Sequence, residues 1–253
     1  MTVLRSLLFQ IAFYLATLFY MLLFLPLLPF LSRHALHRSG VRLWLNTTAF
    51  LLRMLCGVRE DISGLENMPE GPLLIAAKHQ SAWETIALLK LFRDPAFILK
   101  RELMQIPIFG WYLKKMGMIP VDRSAGPSAL RDMAKRARAA AEEGRQILIF
   151  PEGTRRAPGA SPDYKPGAAY LYAILKAPCL PIALNSGLYW PRRALRRRPG
   201  TIRVDVLPVI PPGLTRTAFS TRLEHDIESA SNRLLQIGLK ELGEPQPAPE
   251  TER

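Results

Sequence analysis

From Ser6 to Ser32 no side chain is charged, and most positions are Leu, Phe, Ile, Ala, Tyr or Met. Those 27 residues are enough for a helix to cross a hydrocarbon core of roughly 30 Å. Pro26 and Pro29 interrupt the far end, where each removes a backbone donor. A signal peptide fits less well, because the run is too long and no small-residue cleavage site follows it. Next comes Val41 to Cys56, with apolar residues at mixed helical spacing between Arg42 and Arg53. It reads as an interfacial helix with Trp44 at headgroup level. Two arrangements stay open: one membrane-crossing helix, or a hairpin of two apolar helices in a single leaflet.

After Gly57 the pattern changes to short apolar runs alternating with helix-like stretches. Strands are predicted at Val58–Ile62, Leu73–Ala77, Ala96–Leu99, Met118–Val121, Gln146–Phe150, Leu180–Leu184 and Ile202–Ile210. Helices are predicted at Ala82–Phe92, Ser128–Glu143, Gly167–Lys176 and Phe219–Leu242, and on both sides of Pro107, the second stopping at Gly117. Alternation of this kind predicts an α/β fold, a mostly parallel sheet flanked by helices. The chain therefore divides into membrane-associated helices (1–57), an α/β domain (58–242) and a disordered tail (243–253) rich in Pro and Glu.

Charge narrows the partners. The 34 Lys and Arg against 21 Asp and Glu give +13, which suits an anionic membrane surface, an anionic substrate or nucleic acid. Beside so apolar an N-terminus, membrane lipid is the better match; no reading helix or aromatic platform supports nucleic acid. Arg33, His34, His37, Arg38 and Arg42 follow the apolar run, against Arg5 before it. That bias puts the α/β domain on the cytoplasmic face of a cell membrane. Arg192, Arg193, Arg196, Arg197 and Arg198 form a further cluster, either a solvated loop or a contact for anionic headgroups. The two cysteines, Cys56 and Cys179, and the four histidines show no metal-ligand spacing, so no metal is expected.

The chemistry concentrates in two places. In K-H-Q-S-A-W-E-T, His79 ends a predicted strand and Glu84 stands in the first turn of the next helix. One reading is structural: S-A-W-E is a capping box, with Ser81 the cap and Glu84 reaching back. The other makes His79 a general base and Glu84 the carboxylate that orients it, which requires the strand-to-helix corner to fold Glu84 toward the imidazole. With no G-x-S-x-G elbow and no cysteine beside a base, the attack would be direct, by a substrate hydroxyl. Backbone N–H groups at the helix start are candidates to hold the oxyanion. The second place is F-P-E-G-T-R-R, Phe150 to Arg156, after another strand. A P-E-G at Pro69–Gly71 marks only a turn. Here, however, Gly153 permits close backbone approach, and Thr154 and Arg155 can donate to phosphate oxygens. Arg123, in I-P-V-D-R, follows a third strand; it either joins this anion site, pairs with Asp122 or is a solvated loop charge.

The order of these motifs resembles the lysophosphatidic acid (1-acyl-sn-glycerol-3-phosphate) acyltransferase family of glycerolipid acyltransferases, over roughly Val58 to Ile210. The resemblance implies a catalytic dyad at His79 and Glu84, the latter standing where the family has aspartate. It implies a glycerophosphate-binding role for Arg123, and phosphate binding by Glu152, Gly153, Thr154 and Arg155. Pro181, in L-P-I-A-L-N-S-G, would belong to the acyl-binding region. Transfer of a fatty acyl group from acyl-CoA or acyl carrier protein to lysophosphatidic acid follows as the expected activity, with no cofactor beyond the thioester co-substrate. Two other outcomes are another lysolipid acceptor and a non-catalytic module that binds anionic lipid.

Overall fold

A computed structural model describes residues 2–122 and 126–245. Helix α1 (Thr2–Phe24) runs into a turn, then α2 (Arg33–Leu36), a π-helical stretch at His37–Val41, and α3 (Arg42–Cys56), which Gly57 ends in a left-handed conformation. α1 and α3 pair antiparallel: Arg5 Nε donates to the Leu55 carbonyl at one end, and Tyr20 and Thr47 share a hydrogen bond toward the other. Trp44 joins α3 to α1. Its indole N–H is drawn inward to Thr17 Oγ1 at 2.9 Å.

One stripe of α1 packs on the body, and the opposite arc is bare. Ser6 meets Arg197, the Phe9 ring meets Trp190 edge-on at 5.2 Å, and Tyr112 donates to the Met21 carbonyl. Those contacts are spread along the whole helix, so α1 lies flat on the flank of the domain. Leu4, Leu8, Ile11, Leu15, Leu18 and Leu22, spaced by threes and fours, are exposed.

The body is a seven-stranded sheet: β1 (Val58–Ser63), β2 (Leu73–Ala77), β3 (Pro95–Lys100), β4 (Ile119–Val121), β5 (Gln146–Ile149), β6 (Cys179–Leu184) and β7 (Gly200–Val206). Its order is β1-β7-β6-β2-β5-β3-β4, parallel throughout except between β6 and β7. β2 reads L-L-I-A-A and is wholly buried, as a central parallel strand covered on both faces must be. β7 stops at Val206, short of the predicted Ile210, because Pro208 has no N–H for a ladder. Ile210 returns only as a single bridge to Cys179.

Helices α4 (Trp83–Ala87), α5 (Phe109–Lys115), α6 (Gly126–Glu142), α7 (Gly167–Leu175), α8 (Ser186–Tyr189) and α9 (Arg216–Leu242) cover the sheet. One core joins α4, α8, the α1–α3 hairpin and the C-terminal end of α9 to one face of the sheet; a second joins α6, α7 and the N-terminal part of α9 to the other. α9 begins at the Thr215 cap, before the predicted Phe219. The expected helix at Ala82–Phe92 is α only to Ala87 and then tightens to 3-10 at Leu88–Lys90. Of the tail, 246–253 lies outside the described residues.

The connections fix where a ligand can sit. From β2 the chain passes through α4 to β3 on one side; from β5 it passes through α7 to β6 on the other. The crevice beyond the carboxyl ends of β2 and β5 is therefore a topological switch point, the usual ligand site of an open α/β sheet.

Candidate active site

β2 and β5 pair with Ala76 opposite Ile149. Three residues past each, at that crevice, stand His79 and Glu152. Register thus joins the two motifs that lie some seventy residues apart in sequence. The imidazole stacks on the Phe150 ring at 4.1 Å and 17°. Arg156 N–H donates to the His79 carbonyl at 2.8 Å.

His79 Nδ1 lies 3.0 Å from Glu84 Oε1. That same oxygen accepts the backbone N–H groups of Gln80 at 2.7 Å and Ser81 at 2.6 Å. Brace and orienter are thus one atom, and the two sequence readings of Glu84 merge. Of the capping box, the half in which Glu84 reaches back to Ser81 N–H is formed, while the Ser81 hydroxyl bonds one residue short of the expected position. α4 starts one residue later than predicted, and Ser81 Oγ accepts from Trp83 N–H, two residues on. Because Glu84 occupies the Gln80 and Ser81 N–H groups, those two donors are not free to hold an oxyanion. With a carboxylate accepting at Nδ1, the neutral imidazole carries its proton there and keeps Nε2 as the basic atom.

Glu152 stands at the same crevice with its carboxylate on protein partners. Its side chain is buried, with Oε1 accepting from Lys78 Nζ at 3.0 Å and Oε2 facing His79 N–H at 3.4 Å. Burial pushes its carboxyl above the usual carboxylate range, and Lys78 opposes the push. Lys78, itself buried, also meets Glu228 of α9 at 2.7 Å, to which Tyr164 donates at 2.9 Å. Neither Lys78 nor Glu228 stood out in sequence; a lysine directly before the histidine, at the end of a buried strand, was the available signal.

Gly153 turns the chain at φ +64°, and its N–H closes on the Phe150 carbonyl at 2.9 Å. Glu152, Gly153, Thr154 and Arg155 line the same cavity as His79, one of about 920 Å³. Lys100, Lys165 and Arg192 line it as well, so several cations reach the cavity that holds the base. Its interior is apolar: Ile86, Leu89, Leu103 and Met116 lead to Thr17, Tyr20 and Phe24 of α1. Arg123 lies outside the described residues, while Val121 and Gly126, on either side of that gap, line the cavity. Pro181 is elsewhere. It sits inside β6, opposite Ala76 and accepting from Leu207 N–H, and is not part of the cavity wall.

The arginine cluster divides by environment. Arg192 lines the cavity and donates to the Arg155 carbonyl. Arg197 is buried over the Trp190 ring at 4.6 Å and bound to Gln10, while Arg198 pairs with Glu244.

The family model described as Acyltransferase matches residues 59–185. A 1-acyl-sn-glycerol-3-phosphate acyltransferase of Pseudomonas aeruginosa is 40% identical over 185 residues, 73% of this chain and 71% of that protein. The human 1-acyl-sn-glycerol-3-phosphate acyltransferase alpha is 27% identical, over 87% of this chain and 79% of its own length. Among solved structures, the 1-acyl-sn-glycerophosphate acyltransferase of Thermotoga maritima shares the fold, with a TM-score of 0.67, 21% identity, and coverage of 96% of this chain and 99% of that one.

Proposed function

The chain belongs to the 1-acyl-sn-glycerol-3-phosphate acyltransferase family, and from that premise we propose the finer reaction. A fatty acyl group passes from a thioester donor, acyl-CoA or acyl carrier protein, to the sn-2 hydroxyl of 1-acylglycerol-3-phosphate, giving phosphatidic acid for phospholipid biosynthesis. The observation that carries this reading is the cavity itself. It holds a histidine tied at Nδ1 by a buried carboxylate, cations of the size and donor chemistry for a phosphate, and an apolar interior for a hydrocarbon chain.

His79 Nε2 takes the proton of the acceptor hydroxyl as its oxygen attacks the thioester carbonyl. Glu84 stabilises the imidazolium that forms. When the tetrahedral intermediate collapses, the C–S bond breaks and the thiolate leaves with the proton from Nε2. Arg155, Thr154 and the neighbouring cations hold the phosphate, turning a dilute encounter into a positioned one. Glu152 acts beneath them, through Lys78 and the His79 backbone. The chain needs no cofactor of its own for these steps.

The exposed apolar arc of α1 supports insertion into one leaflet, with the α/β body on the cytoplasmic side as the flanking charges favour. The acceptor would then be drawn from the same leaflet.

The test is acyl transfer by purified protein to a panel of lysolipids, with acyl-CoA and acyl carrier protein donors. Lysophosphatidic acid is expected to be the preferred acceptor, and His79→Ala to lose at least about a thousandfold in kcat while still binding vesicles. Near-normal transfer by that variant would sink the mechanism. A preference for an uncharged lysolipid would refute the acceptor.

A further inference from the structure

Glu84 orients His79 with one oxygen, and its other oxygen has a partner of its own. The Glu84 side chain is fully buried, so each oxygen must find donors inside the protein. Oε1 is satisfied by His79 and the two backbone N–H groups. Oε2 accepts the Ser186 hydroxyl at 2.7 Å. Ser186 opens α8, 102 residues along the chain, and lies just beyond the matched span 59–185.

The segment around it is held from several sides. Asn185 donates to the Leu234 carbonyl and accepts from Arg203 N–H. Gly187 N–H donates to Gln80 Oε1 at 3.1 Å. A Cβ at Gly187 would come within 2.8 Å of Pro158 and 2.9 Å of Gln80, so only glycine lets α8 close on this corner. The fold thus places one buried hydroxyl on the one oxygen that the corner leaves open.

We propose that Ser186 is a positioning residue for acyl transfer: its hydroxyl donates to Glu84 Oε2 and sets the plane of the carboxylate that holds His79. The role rests on His79 being the general base. Ser186 is not a nucleophile, since its oxygen meets the carboxylate and not the imidazole. Without the hydroxyl, Oε2 is a buried acceptor with no donor among the described residues. The carboxylate also becomes more basic, and a more basic partner holds the imidazolium more strongly. The acid limb of kcat/KM then moves to higher pH.

The test compares Ser186→Thr with Ser186→Val, which add the same bulk and differ in one hydroxyl. Transfer to lysophosphatidic acid is measured against pH, beside thermal unfolding and vesicle binding. The expected result is a kcat about ten- to a hundredfold lower in S186V than in S186T. KM for the acceptor should be close in the two, with the acid limb raised only in S186V. Equal kcat and pH profiles in the two variants overturn the role. So does a loss in S186V that follows a smaller folded fraction with the profile unmoved. Wild-type activity in the same assay separates the two levels of the argument: an active wild type with indistinguishable variants overturns positioning alone, whereas a wild type inactive on every lysolipid overturns the transferase reading too.

Discussion

Lysine is among the side chains least often buried, yet Lys78 keeps only 2% of its surface exposed, one residue before His79. Two carboxylates compensate it, Glu152 from the turn after β5 and Glu228 from α9. An ion cluster so far from water adds little net stability while intact, because desolvation offsets the attraction. Breaking it is costly. Lys78→Met should therefore destabilise the protein by about 3–5 kcal/mol in denaturant unfolding, with two carboxylates left uncompensated. Adding Glu152→Gln should recover part of that loss. If K78M unfolds at the wild-type midpoint, the ion cluster does not hold this corner of the fold. The family resemblance implied a phosphate-binding role for Glu152 together with Gly153, Thr154 and Arg155. What it did not contain was the direction of the side chain, which the β2–β5 register turns inward.

At the scale of elements, the strands were legible because parallel central strands are continuous apolar runs, and β2, β3 and β5 fall within a residue or so of their predicted bounds. The ends that shifted have local causes, such as Pro208 after β7 and the Thr215 cap before α9. Short α8 carried no periodic signal, and with it Ser186 went unseen. The elbow of the N-terminal hairpin was equally opaque, since nothing in H-R-S-G-V announces a π-helical turn. There His37 is buried, its Nε2 3.1 Å from the Leu89 carbonyl and its Nδ1 without a hydrogen-bond partner among the described residues. Burial holds this imidazole below its ordinary value of 6.5, with Arg42 adding to the effect and the Leu89 carbonyl opposing it. A depressed folded value means stability that is fully present above 6.5 and lost as pH falls through the folded value. Amides of 37–41 should then exchange faster at about pH 5 than at about pH 7.5, after correction for intrinsic rates. His37→Gln should abolish the difference. Uniform protection across that range would show that the elbow does not sense His37.

For the whole molecule, the sequence left open whether the apolar N-terminus crosses the bilayer or lies in it, since length and composition satisfy both. The packing supports the single-leaflet arrangement proposed above. A helix that touches the domain at Ser6, Phe9 and Met21 along one stripe cannot also stand in lipid on every side. What it offers the membrane is the other arc, joined by Phe50 and Met54 on α3 and by Phe30 in the turn, which is 86% exposed. The same hairpin also lines the cavity, through Thr17, Tyr20, Phe24 and Trp44, so the apolar part of the cavity that holds His79 lies against the element proposed to enter the leaflet. In that arrangement one hairpin serves both membrane attachment and the acyl end of the cavity. Leu15 and Phe19 lie on it, 62% and 58% exposed, with no place in the cavity wall. Burying each side chain in lipid is worth about 1.5–3 kcal/mol. The double variant Leu15→Glu with Phe19→Glu should weaken vesicle binding by at least about a hundredfold in sedimentation. Transfer to a short-chain, water-soluble acceptor should stay near the wild-type rate, because the site is untouched. Undiminished vesicle binding would mean that another surface holds the membrane, and the single-leaflet arrangement would fall with it.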